Sequence, residues 1–231
     1  MPTDVETLTD EGGADRSTAA ALLVFAVGYN VAHHNGLIGA TSAGGGTRVA
    51  DWVDLLTPVV VVLPLLWFLW LQRAGGRSWL VAAVGSIVYV EGHGIHLSAN
   101  SISNVAPAAT TSEQALDAIH LWDEVVGHYV WFGGLAILLA VCAASVSGRQ
   151  LNIPGPILAI GGAISGVTWA TNGLEGGTAV ASLGCAVVAV GWAARRRRGL
   201  GLALLAGGVV AVVILGGYGL VRGGFPQPSS L

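Results

Sequence analysis

Apolar residues gather into seven stretches along the chain, approximately Thr18–Ile38, Trp52–Leu71, Ser78–Ala99, Leu116–Val146, Gly155–Thr171, Thr178–Ala194 and Leu200–Tyr218. A helix needs roughly 17–25 apolar residues to cross the hydrocarbon core of a bilayer, and these stretches fall in or above that range. Leu116–Val146 exceeds one perpendicular span, so its first turns are expected at the interface. The breaks are rich in turn formers: GLIGATSAGGGTR after the first stretch, RAGGR after the second, SNVAPAATTSE after the third and SGRQLNIPGP after the fourth. The pattern predicts an all-α, polytopic membrane protein, a bundle of about seven transmembrane helices over residues 18–220.

Composition agrees, since 53% hydrophobic and 10% charged residues with a mean hydropathy of +0.70 exclude an ordinary soluble domain. The net charge of -3 is dominated by five acidic residues, Asp4, Glu6, Asp10, Glu11 and Asp15. Residues 1–17 therefore read as a disordered acidic tail. They are acidic where a cleaved leader would be basic, so the first span is expected to be retained. All ten basic residues are arginine. Arg73, Arg77, Arg149 and Arg195–Arg198 fall on one side of the predicted bundle, whereas Arg48 and Arg222 fall on the other. The positive-inside rule then predicts a multi-pass cell-membrane protein with a cytoplasmic N-terminus and an extracytoplasmic tail over 221–231. The arginine run has no aromatic or folded basic context that would indicate nucleic acid. Cys142 and Cys185 lie within apolar stretches and read as packing residues.

Against this background the polar residues inside the spans stand out. All six histidines fall in three places: His33 and His34, His93 and His96, and His120 and His128. Ionisable groups at membrane depth cost several kcal/mol unless paired, hydrated or metal-bound, which makes them candidates for function. The predicted topology brings all three groups to the outer half of the bilayer, with Asn172 and Glu175 ending the fifth span nearby. His93, His96 and Asn100 share one helical face. Glu91 lies about 200° away from His93. On the next span His120, Glu124 and His128 form a stripe at four-residue spacing, with Asp123 beside it.

Imidazoles and carboxylates together suit zinc or iron. The expected ligands are His93, His96 and His120, with His34 and His128 also available. Glu124 or Asp123 would serve as general base, and Asn100, Glu91, His33 and Glu175 would support the ligands. Of the adjacent pair, His34 is preferred over His33, because neighbouring residues point about 100° apart. The resulting expectation is a zinc-dependent hydrolase acting on a lipid or membrane-partitioning substrate, with zinc ahead of iron as the divalent metal. A di-iron oxidase, hydroxylase or desaturase would need more ligands, including His34 and His128. A proton-coupled or metal-ion transporter would need polar groups on both sides of the midplane, and below His128 the sequence reads VWFGGLAILLAVCAAS. A hydrogen-bonded network that only knits helices together is the structural alternative. The last span carries no histidine, unlike the seven-span hydrolases related to alkaline ceramidases, and no lysine, which excludes a retinal Schiff base. Gly92 and Gly94 flank His93, so a backbone or a substrate can approach closely there.

Overall fold

The computed structural model describes residues 4–34, 41–107, 109–146, 151, 153–196 and 199–228. Apart from the turns that connect the helices, the described residues are helical except for a short antiparallel hairpin, β1 (Ser42–Gly44) and β2 (Thr47–Arg48), which turns through glycines at positive φ. The helices are α1 (Asp4–His33), α2 (Val49–Leu55), α3 (Thr57–Leu71), α4 (Gly76–Val105), α5 (Glu113–His120), a π-helical segment (Leu121–Gly127), α6 (His128–Ser145), α7 (Gly155–Glu175), α8 (Ala179–Ala193) and α9 (Leu200–Arg222).

Among the described residues five helical runs are long and apolar enough to cross a membrane: Val49–Leu71, Gly76–Val105, Glu113–Ser145, Gly155–Glu175 and Leu200–Arg222. The helix expected from Thr178–Ala194 is present but has only 15 residues, about 22 Å at 1.5 Å per residue, short of the ~30 Å hydrocarbon core. Large apolar side chains such as Leu80, Ile87 and Val213 are exposed on the outer surfaces of the bundle, which is the surface a lipid solvent requires.

Two boundaries differ from the sequence reading. Helix α1 begins at Asp4, inside the stretch expected to be disordered. Acidic residues favour a helix N-terminus by complementing its dipole, so the composition that reads as a solvated tail also permits helix. Its far end falls at His33, and residues 35–38 of the predicted span lie outside the described residues. The second span is broken between α2 and α3, where a proline in the first turn of α3 lacks the N–H needed to continue the ladder. The start of α2 is held by Arg48 and Asp51: the Arg48 backbone N–H donates to Asp51 Oδ2 at 2.8 Å, and its guanidinium pairs with Oδ1 at 2.7 Å.

Two close crossings organise the packing. Helices α4 and α6 meet through Gly85, Gly92 and Gly134, and a Cβ placed on Gly92 would overlap the backbone of Trp131. Helices α7 and α9 meet through Gly162, Gly166 and Gly207 in the same way. Backbone-to-backbone approach of this kind depends on small residues, which lipid-facing bundles use in place of a hydrophobic driving force. Helix α1 lies against α3 and α7, and α8 against α9. The Asn30 amide donates to Thr168 Oγ1 at 2.8 Å, tying α1 to α7.

Candidate functional site

The polar groups collect at the end of the bundle where α1 and α7 finish, α2 starts and α6 begins. His93 comes from α4 and is 2% exposed. Its Nε2 lies 3.0 Å from the Asp54 carbonyl oxygen and 3.2 Å from the Asp54 carboxylate. Both are acceptors, so Nε2 carries the proton and donates. The Nδ1 of a neutral ring is then a lone pair, and that atom is buried without a hydrogen-bond partner among the described residues.

One turn further along α4, His96 Nδ1 lies 2.6 Å from Asp123 Oδ1, across from the π-helical segment. The two groups form a close, buried pair, and neither atom has another hydrogen-bond partner among the described residues. His93 Nδ1 is therefore a buried atom of metal-ligand type without a partner among the described residues, and the paired His96 Nδ1 and Asp123 Oδ1 follow one turn along α4. Unsatisfied buried polar atoms are rare and expensive, so His93 Nδ1 beside this pair is a candidate position for a ligand or a cation.

Imidazole rings continue on both sides. The His93 and His96 centroids are 6.0 Å apart, and His96 and His128 4.5 Å. His128 donates from Nδ1 to the Asp123 carbonyl at 2.8 Å, five residues back, which leaves its Nε2 as a lone pair when neutral. His33 donates from Nδ1 to the Tyr29 carbonyl at 2.9 Å, and its ring lies 6.1 Å from His93 and 5.1 Å from Trp131. Buried Tyr89 stacks on His93, and its hydroxyl lies 3.4 Å from His33 Nε2. Trp131 contacts His33, His128 and Tyr89 and forms the apolar floor of the cluster.

Local structure fixes these rings. A Cβ on Gly127 would stand 2.9 Å from His96 Cβ, and one on Gly176 would overlap the His128 ring. Glu124 is the more open carboxylate, its side chain 30% exposed, with Oε2 4.0 Å from His128 Nδ1. The segment after α9 crosses this end: Gln227 Nε2 donates to Glu124 Oε2 at 3.1 Å and to the Glu175 carbonyl at 2.6 Å.

The sequence-derived candidates separate into two groups. His93, His96, Asp123, His128, Glu124 and His33 come together. His120 is exposed at the end of α5, and Glu91 is exposed beside Gly94 and Trp122. Asn100 pairs with Asn104 one turn on, and Glu175 is exposed at the end of α7. His34 turns to α7, with Nε2 3.2 Å from Thr171 Oγ1. The order within both histidine pairs thus differs from the sequence expectation, with His33 nearer the cluster than His34 and His128 nearer than His120. The π-helical segment explains the second case, because its wider turn breaks the regular phase assumed between residues 120 and 128. Asp54, Tyr89 and Trp131 were not among the sequence candidates. The signal for Asp54 was its place in DWVDLL, where two aspartates three apart open an apolar run.

Two imidazoles and a carboxylate match the donor preferences of zinc and of ferrous iron, and the Asp54 partner on the far nitrogen of His93 is the kind of support that ligating histidines receive. Among the described residues no three His, Cys, Asp or Glu side chains are arranged to hold an ion as they stand. No known family model, curated protein or solved structure matches the chain.

Proposed function

We propose that this chain is an integral membrane metalloenzyme in which His93, His96 and Asp123 hold a divalent cation, zinc ahead of iron, and that it hydrolyses a lipid or membrane-partitioning substrate. The observation that carries this reading is the buried His93 Nδ1, which has no hydrogen-bond partner among the described residues and lies one turn of α4 from the His96–Asp123 contact at 2.6 Å. A divalent ion bound there supplies Lewis acidity and makes water a competent nucleophile near neutral pH. Asp54 keeps His93 in the tautomer whose Nδ1 is free. Glu124, partly exposed and held by Gln227, is placed to take a proton from water as general base. Trp131 and Tyr89 exclude bulk water from the inner side.

One ligand set favours a single-ion hydrolase over a di-iron oxidase, which would need a second set. The clustering at one end favours a site over a conduit, because the far half of α6 is filled by buried Leu138, Val141 and Cys142. The arginine distribution supports seven helices in the cell membrane, with the shorter α8 and the Arg16-bearing α1 completing the five longer spans, the N-terminus cytoplasmic and the cluster in the outer half.

Elemental analysis of the purified full chain tests the proposal. About one zinc per chain is expected, lost in His93→Ala and His96→Ala and kept in His120→Ala. A membrane-impermeant chelator should strip it from intact cells. Wild-type protein without stoichiometric metal after purification in metal-replete buffer would overturn the reading.

A further inference from the structure

A cavity of about 650 Å³ lies between α6 and α8, with α1 and α7 behind it. That volume is within the ~300–1,000 Å³ range of small-molecule sites. Helices α6 and α8 face each other across it without close packing. At the site end it is bordered by Tyr29, Phe132 and Trp169, and at the far end by Ala144 and Trp192. From Phe132 to Ala144 the cleft follows α6 for about 18 Å at 1.5 Å per residue. That is slightly more than half of the ~30 Å hydrocarbon core, the depth of one leaflet.

The walls between the two ends are alanine, leucine, valine and glycine, with Ser165 and Cys185 the main polar exceptions. Ser165 Oγ is turned away in a bond to the Gly161 carbonyl. A stable water needs two to four polar partners, which this wall does not provide, so its natural occupant is hydrocarbon. The site end is different. Trp169 Nε1 is a buried donor with no partner among the described residues. Tyr29 shares that border, and its ring lies 4.7 Å from His33, which continues through Trp131 to the histidine cluster. An apolar channel one leaflet deep thus ends at Tyr29, Phe132 and Trp169, next to the polar cluster.

We propose that this cleft holds one acyl chain of the substrate, an acyl lipid whose polar part reaches toward the histidines past Tyr29 and Trp169. The assignment deepens the hydrolase reading and rests on it. The test uses the full-length protein in bilayers containing a phospholipid with a diazirine at the end of one acyl chain, photolysed and mapped by peptide mass spectrometry. Adducts should concentrate on residues 140–144 and 188–192, at the far end of the cleft. Gly184→Phe, at a position where an added Cβ meets nothing within 4 Å, should fill the cleft and reduce these adducts several-fold. Gly216→Phe on α9, equally open but outside the cleft, should leave them unchanged. Adducts spread evenly over the exposed apolar faces of the wild-type bundle would overturn the assignment without any variant, as would labelling that Gly184→Phe does not alter. Metal content measured on the same samples separates the two proposals. Bound zinc without cleft labelling overturns the acyl site alone, and cleft labelling without metal overturns the hydrolase alone.

Discussion

Replacing Gly92 by alanine should damage both the fold and the site, whereas the same change two residues away should not. A Cβ on Gly92 would stand 2.8 Å from Trp131 Cα and closer still to its backbone nitrogen, where ordinary contact begins near 3.4 Å. The obstacle is backbone, so no rotamer change relieves it and α4 must move away from α6. Overpacking of this sort costs about 1–3 kcal/mol. At Gly94 an added Cβ meets nothing within 4 Å. Alanine there should stabilise by about 0.4–1 kcal/mol, because glycine gives the unfolded chain more freedom to lose. The two variants should therefore differ by roughly 1.5–4 kcal/mol in detergent unfolding. Trp131 also touches His33 and His128, and His96 on α4 meets Asp123 on the π-helical segment that leads directly into α6. A displacement approaching an ångström should lower metal affinity in Gly92→Ala and leave it intact in Gly94→Ala. Equal stability of the two variants would refute the claim that backbone contact at Gly92 sets the helix separation.

Two further outcomes follow from the polar contacts. Asp54→Asn keeps the shape and the backbone carbonyl that accepts from His93 but removes the carboxylate; metal affinity, read by competition with a chromophoric chelator, should fall roughly 10–100-fold, and an unchanged affinity would remove Asp54 from the site. Deleting Val126 should convert the π-helical segment to regular helix and turn Asp123 by about 100° relative to α6. Circular dichroism should be preserved while metal is lost, and a deletion that still binds metal would show that the wide turn is not what aims Asp123 at His96.

The fold was largely legible because apolar run length reports directly on helix length. Gly155–Thr171 and Leu200–Tyr218 recur within α7 and α9, each extended at its C-terminal end by residues such as Glu175 and Arg222 that hydropathy does not favour. The site was legible as a cluster but not in its internal order. Helical phase gives angles between residues on one helix and nothing about how that helix is rotated in the bundle, so His33 and His34 could not be ranked correctly from spacing. Phase also presumes a regular helix, and Leu121–Gly127 is not one. Asp54 escaped because an aspartate in the first turns of a span reads as an interfacial residue. Only the packing of α2 against α4 brings it to His93.

The glycine crossing of α4 and α6 also divides the histidine cluster mechanically. His96, Asp123 and His128 ride on elements held by backbone contact that cannot widen without breaking the bundle. Asp54 arrives on the short helix α2 and meets His93 through its carboxylate and its backbone carbonyl, and His33 arrives on α1 and meets the cluster through its ring. Helix α2 meets α4 over a much smaller contact than α6 does, so a small rotation of α2 would uncover His93 while α4 and α6 stay in register, and the seam through which solvent would reach the cluster is the edge of the bundle nearest the hairpin.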